Sequence, residues 1–469
     1  MLLLVFGGVG SWWFNRPDPV RVSAEQAYRD GRWQAALRDY TTLYQRNPDG
    51  DVGIQLLQLY AIRGDWQPLD AHGLDLLNQS LTQEQRDETV ILLGWSAVQR
   101  GDLSAAQNWW HSTTAARQWQ IHILHADVAL RQGDIISATY HLNESATIQG
   151  AWRTAWLLRA AEIAVTDAPS TTLELLDQIQ VPAIASALPP LDPAFIQQRM
   201  TALRDIARQD ADARKISLAR LWRDEGLADA AAIMLQQVPA DSSLDSLAHD
   251  EWARIRWSQG DAEGALADLN ATIERYPNVA ALRRTQATIA ASMGNIAQAT
   301  DALEQAVIMD GKIPENYFVV AAIWLAQNDF DQAAAAYDAA IQTGILTGTS
   351  YLQAANFYIN TPLRPCESGL KYARGALNTE VDNAARRVIA QVALQCGKPR
   401  EAFTVLAPLS EKINDDPQLL YLRGLTFWRF GWRSFALRDF ERAADLAPNS
   451  AWRRDAERYL DDEDGRMKK

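Results

Sequence analysis

Four of the six histidines fall in one stretch, at His111, His122, His125 and His141. His122 and His125 stand three residues apart, so on a helix they share one face. Such a pair can begin a zinc site, which then needs one or two more ligands in a closed shell. No cysteine lies nearby to supply them. The two cysteines of the chain, Cys366 and Cys396, are thirty residues apart. They are either a disulfide or two unpaired thiols. The sequence has no G-x-S-x-G elbow, no H-E-x-x-H and no paired C-x-x-C motifs. Gly7-Gly8-Val9-Gly10 sits in an apolar terminus, without the strand–turn–helix setting of a phosphate loop. The acidic pairs Asp415-Asp416 and Asp461-Asp462 fall in a loop and a tail, whereas acid/base chemistry needs carboxylates opposed in a pocket. No catalytic, cofactor-binding or metal-ligating residue is therefore assigned, and the histidines are read as surface or groove side chains. The chain is not expected to be an enzyme.

The elements around these residues repeat. Gly-Asp or a close relative recurs at Gly31, Gly64, Gly101, Gly133, Gly226, Gly260, Gly294, Asn328, Gly397 and Gly431, and the steps from Gly226 to Asn328 are each 34 residues. Asp167 holds the same place in a degenerate copy. About seven residues before each marker sits a small residue (Ala24, Gly94, Ala253, Ala287, Gly424). About five after it sits another (Ala36, Ala106, Ala265, Ala299, Ala436), and four further on a large apolar one (Tyr40, Trp110, Leu269, Leu303, Phe440). Small residues let two antiparallel helices approach closely, and the large one fills the gap beside them. Glycine ends the first helix in a left-handed cap, and the Asp or Asn after it caps the second. Proline at Pro48, Pro277 and Pro448 stops the second helix. One hairpin cannot bury its own apolar face, so copies must stack.

This spacing, with its small, small and large positions and closing proline, resembles the tetratricopeptide repeat (TPR) over roughly residues 20–450. The resemblance implies an all-α, right-handed superhelical solenoid of about twelve stacked antiparallel hairpins, with a short apolar amino-terminal helix. It implies protein or peptide partners held in a concave groove lined by first helices. By repeat position the groove residues are Trp95, Asp250, Arg254, Trp257, Arg284, Phe318, Arg387 and Tyr421. Asp250 and Arg254 depart from the Lys/Asn pattern with which some TPR proteins grip a terminal carboxylate. Among the 17 tryptophans, Trp33, Trp66, Trp110, Trp222, Trp252, Trp324 and Trp432 fall at packing positions.

Two places break the register. Residues 180–193 hold four prolines and read as a connection followed by one extra helix over roughly 194–208. At 360–366 a longer loop replaces the inter-helix glycine. In repeat coordinates Cys366 opens the second helix of one copy and Cys396 ends the first helix of the next. Stacking makes these two points neighbours, so a Cys366–Cys396 bond is expected, and with it an oxidising compartment.

Composition agrees with a folded chain: 48% hydrophobic, 22% charged, net charge −13. So acidic a chain repels phosphate backbones, which excludes nucleic acid as a general partner. Leu2 to Phe14 is an uncharged apolar run ending in Trp12-Trp13-Phe14 beside Arg16, shorter than the ~20 residues of a spanning helix. It reads as the distal part of an amino-terminal membrane anchor whose upstream residues precede this chain, with a signal sequence or a packed tail as alternatives. The organisation is then an apolar segment (1–19), a first block (20–180), a connection with an extra helix (181–209), a second block (210–450) and a terminal helix with a charged tail (451–469). The function expected is a membrane-tethered, extracytoplasmic scaffold that binds a protein segment, with cell-envelope assembly or export as its setting. A cytoplasmic location and a purely structural spacer or oligomerising solenoid are the alternatives.

Overall fold

The computed structural model describes residues 18–467 apart from 115–117, 188–189, 192, 311–312, 343–346, 362, 378, 380–381, 410–415 and 447–450. The first block holds five hairpins: α1 (Pro19–Arg29) with α2 (Trp33–Arg46), α3 (Gly50–Arg63) with α4 (Trp66–Leu77), α5 (Gln83–Gln99) with α6 (Leu103–Trp110), α7 (Gln118–Arg131) with α8 (Ile135–Glu144), and α9 (Ala151–Ala164) with α10 (Pro169–Asp177). A two-stranded turn, β1 (Ser186–Ala187) and β2 (Pro190–Leu191), leads to the extra helix α11 (Pro193–Ala207). The second block begins with α12 (Ala211–Asp224) and α13 (Ala228–Gln236), then α14 (Asp245–Ser258) and α15 (Ala262–Arg275), and α16 (Ala280–Ser292) and α17 (Ile296–Asp310). It continues with α18 (Pro314–Ala326) and α19 (Phe330–Gln342), then α20 (Gly348–Asn360) and α21 (Leu370–Gly375). Last come α22 (Asp382–Gln395) with α23 (Pro399–Leu406), α24 (Pro417–Phe430) with α25 (Arg433–Leu446), and the closing helix α26 (Ala451–Met467). This is an all-α solenoid of twelve hairpins, counted among the described residues.

The small-residue positions explain the hairpins. Ala24, Ala36, Ala106, Ala126, Ala253, Ala265, Ala287, Ala299 and Ala436 are completely buried where paired helices touch. A methyl group on Gly94 would run into the Trp110 indole, and one on Gly424 would come within 2.7 Å of the Phe440 ring. The large residue of each second helix thus sits on the small residue of its first helix. Trp110 Nε1 also donates to the Ile91 carbonyl at 3.2 Å, satisfying the polar end of a buried indole.

The turns are as uniform as the faces. Nine of the ten markers are glycines, all with positive φ, and Asn328 takes the same conformation at 58°. In each the next residue's N–H reaches back five residues, as in Asp102 to Ala97 and Asp261 to Arg256. That closes the orphan carbonyls of the first helix. Asp102, Asp134 and Asp261 then cap the following helix, each carboxylate accepting an N–H at 2.9 Å. At the degenerate copy around Asp167 no positive φ is needed. At the second break Arg364 occupies the left-handed region (φ 38°), followed by a wide turn over Pro365–Gly369. There Cys366 is bonded to Cys396, with Cα atoms 5.7 Å apart, joining the tenth and eleventh hairpins.

Two tertiary features lie outside the repeat plan. Residues 180–187 return across the first block as a strap: the Gln180 carbonyl accepts from Thr154 Oγ1 at 3.3 Å, Ile184 packs against the Gly31 turn, and Ala187 is buried in the core of the first hairpins. The ends of the solenoid also meet. Asp445 of α25 accepts from the Gln34 N–H at 2.9 Å at the start of α2. Arg63 of α3 pairs with Glu457 of α26 at 2.9 Å, and Arg453 pairs with Asp65 at 3.0 Å. Burial pushes the Asp445 carboxyl up to about 8. Asp65 is spent on these arginines and caps nothing.

Trp33, Trp110 and Trp222 lie in the core. Trp432, expected to pack, is instead 49% exposed, because it directly follows the turn glycine, a position also exposed at Asp102, Asp261 and Asn295. The acidic tail residues 461–464 are helical, as the final turns of α26. Among the described residues no helix is long and apolar enough to cross a membrane; the run 2–14 lies outside them. Replacing Ala265 with Trp should overpack the α14/α15 contact and cost ~1–3 kcal/mol. Urea denaturation reads this, and an unchanged midpoint would mean that Ala265 is not at the helix contact.

Candidate functional site

First helices line a cavity in the first block, and the first helix α20 lines a crevice in the second. In the first block a cavity of about 360 Å3 lies between Ile62 of α3, Trp95 and Gln99 of α5, Ile123, Asp127 and Arg131 of α7, and Leu158 and Arg159 of α9. These are successive first helices. Ala185 and Ser186 of the strap, with Phe195 and Ile196 of α11, form its other wall. The chain therefore lays its own extended segment along this groove and leaves only part of it empty.

An ionic knot floors the cavity. Arg159 reaches Asp127, Glu162 and Glu225, each at 2.6 Å. Arg199 of α11 reaches Glu225 at 2.6 Å and Glu162 at 3.3 Å, and Arg131 reaches Asp127 at 3.2 Å. Burial alone would raise the Asp127 pKa, yet Arg159 and Arg131 hold it below the usual carboxylate range. Burial holds Glu162 above that range against the pull of Arg159, with Glu225 adding to the rise. The knot joins α7 and α9 of the first block to α11 and α12, so it fixes how the blocks meet.

Of the residues assigned by repeat position, Trp95 lines the first cavity and the others lie in the second block. Arg254 bonds Asp250 at 2.9 Å and Thr285 at 2.5 Å. Arg284 pairs with Asp310 at 2.7 Å, and Arg387 contacts Gln418 at 3.3 Å and Asp416 at 3.5 Å. Phe318 stacks beside Tyr337 at 5.7 Å. Trp257 packs on the core of its hairpin. Tyr421 is buried between Phe440 and Trp452, and burial raises its phenol pKa. The structure brings Asp250 and Arg254 together; Arg254 and Arg387 also reach the next hairpin, whereas Arg284, Phe318 and Tyr421 find partners on the second helix of their own.

Sequence reasoning missed a stripe on α20. Gln353, Asn356 and Asn360 are exposed on one face and, with Leu352, Tyr337 and Phe357, line an open crevice of about 630 Å3. Leu352 comes one repeat after Phe318, which is the signal that leads to this face. Side-chain amides both donate and accept, so they suit a peptide backbone.

The histidines pack with each other. His122 Nδ1 lies 2.9 Å from His141 Nδ1, and His125 stacks on His141 at 5.2 Å and meets Trp110 edge-on at 5.4 Å. Burial, with help from the neighbouring imidazoles, pushes His125 down to about 4. Among the described residues no group of three side chains is arranged to hold a metal.

Stacked helical hairpins with inward-facing first helices define a helical-repeat solenoid. Residues 284–345 match the tetratricopeptide repeat family, and the other hairpins share their turns and small-residue contacts, so the fold is a tetratricopeptide-repeat-like solenoid. No curated protein matches it. Among solved structures it is similar to the Cut9–Hcn1 heterotetramer of the APC/C, at 11% identity over 96% of this chain and 98% of that one, with a TM-score of 0.35. Yeast Tom70 gives 14% identity over 95% of each chain and 0.36. The TPR protein YrrB gives 18% over 40% of this chain and 97% of that one, and 0.33. Scores this low carry no argument, and the assignment rests on the family match and the repeat geometry.

Arg159→Met removes the centre of the knot and leaves Asp127 and Glu162 buried with too little positive charge. A loss of ~3–5 kcal/mol is expected. Thermal unfolding of this variant within a degree of the parent would show that the knot does not hold the blocks.

Proposed function

We propose that this protein is a non-catalytic scaffold that binds an extended segment of another protein along the first-helix groove of its second block. The observation that carries the reading is the strap. The same kind of surface in the first block already holds an extended peptide, the chain's own residues 184–187, so foreign segments would compete there with a tethered occupant. The amide stripe of α20 offers the second block hydrogen bonds of the kind an extended backbone needs.

The finer reading places the scaffold at a membrane. Residues 2–14 tether it, and the solenoid stands outside the cytoplasm in cell-envelope assembly or export. The Cys366–Cys396 bond supports this, because disulfides persist in oxidising compartments. The spacer reading draws on a different observation: Arg254, Arg284 and Arg387 already have partners within the chain.

Photo-crosslinking separates the two. A photoreactive residue is placed at Gln353 or Asn356, and for comparison at exposed Thr300 on the second helix α17, in the full chain in its native membranes. The scaffold reading expects a discrete foreign adduct from α20 and none from Thr300. Adducts from neither position, or equally from both, would favour the spacer.

A further inference from the structure

The last two hairpins expose aromatic rings that no core uses. Phe403, Trp432 and Phe435 are 45%, 49% and 55% exposed. They form one cluster through Phe430 and Phe427. Ring centroids lie 6.2 Å apart for Phe403–Phe430, 5.1 Å for Phe430–Trp432, 5.6 Å for Phe427–Trp432 and 5.9 Å for Phe427–Phe435. Scattered single apolar residues on a surface are ordinary, whereas a contiguous group marks a place that another surface covers.

The charges around the rings say which surface. Lys398, Arg400, Arg429, Arg433 and Arg438 are all exposed here, and none pairs with a carboxylate among the described residues. Arg433 lies 3.5 Å over the Trp428 ring and Arg438 6.0 Å over Phe435. Their positive charge is therefore spread beside the rings and not cancelled. Of the acids next to these cations along the chain, Glu401 is held by Arg374 and Asp439 by Arg423. In a chain of net charge −13 this turn edge is a local reversal of sign.

The patch is the tip of two turns, not a groove, and none of its side chains lines the cavities described above. A peptide would find no walls there. A planar anionic surface fits both halves of the patch. Trp and Phe settle at the headgroup level of a bilayer, and Lys and Arg extend their stems to reach phosphates. Each such cation strengthens binding to an anionic membrane roughly fivefold. We propose that the turn edge of hairpins eleven and twelve, centred on Trp432 and Phe435, docks on an anionic lipid bilayer. The proposal depends neither on the groove reading nor on residues 2–14.

The test is flotation of the full chain with two kinds of vesicle, phosphatidylcholine alone and phosphatidylcholine mixed with phosphatidylglycerol. Attachment through residues 2–14 contributes to both, so the quantity read is the ratio of anionic to neutral binding. The wild-type ratio is expected to exceed about 10 at low salt and to collapse in high salt. Arg400→Glu with Arg429→Glu should lower the ratio about fivefold or more, and Trp432→Ser with Phe435→Ser should weaken binding to the anionic vesicles. All four positions are on the surface, so helical content and melting should stay at parent values. A wild-type ratio near one, or a raised ratio with anionic binding that neither variant weakens, overturns the proposal. A ratio near one would leave an acidic protein as the occupant of the patch.

Discussion

The structure depends on the contact between a small residue of each first helix and a large residue of the second. Where Gly94 meets Trp110 and Gly424 meets Phe440, even one added methyl has no room. Helices this close bury little apolar area within one hairpin, so the remaining apolar face must be covered by the next copy. Stacking is then obligatory, and its direction is set by the glycine turns, which repeat one geometry through most of the chain.

The same constraint leaves a problem wherever the stack ends or breaks. At the break the first block's groove is covered by the strap and by α11, and the knot around Arg159 and Glu225 pins that arrangement. At the ends, α25 and α26 lie against α2 and α3. Asp445 completes the open start of α2, which is work a capping side chain of its own repeat would otherwise do. Next along the same seam, Arg63 pairs with Asp65 and Glu457, and Arg453 with Asp65. The solenoid is thus closed upon itself, while the amide stripe of α20 and the turn edge around Trp432 stay accessible.

The repeat was legible in the sequence because its signals are local. Glycine at a fixed interval, alanine at two fixed offsets and a capping aspartate each act within one hairpin, and over many copies they reinforce one another. The cysteine pair was legible for the same reason, since repeat coordinates place Cys366 and Cys396 on adjacent turns. The strap was visible only as a proline-rich interruption: nothing in Ile184-Ala185-Ser186-Ala187 says which surface it will cover. The knot left a faint trace in Glu162, a carboxylate inside the apolar run Ala160 to Ala164, but its partners lie on helices whose approach depends on the whole stack. Repeat position put Arg254, Arg284 and Arg387 on the first helices. It could not tell that each is paired within the chain, Arg254 and Arg387 with the next hairpin and Arg284 with Asp310 of its own. Trp432 failed as a packing residue because it directly follows the turn glycine, a position left on the surface in earlier copies as well.

Closure of the solenoid is the claim on which the assignment of covered and open faces rests. It is tested most directly by the distance between the first and last hairpins. The native cysteines are bonded to each other, so spin labels can be placed at Arg29→Cys and Arg438→Cys without background, and their separation read by pulsed electron resonance. A single short, narrow distance distribution is predicted, because Arg442 lies one turn beyond Arg438 and reaches the Asp30 carbonyl at 3.4 Å. A long or broad distribution would mean that the ends stand apart, and that the faces taken as covered are open to partners.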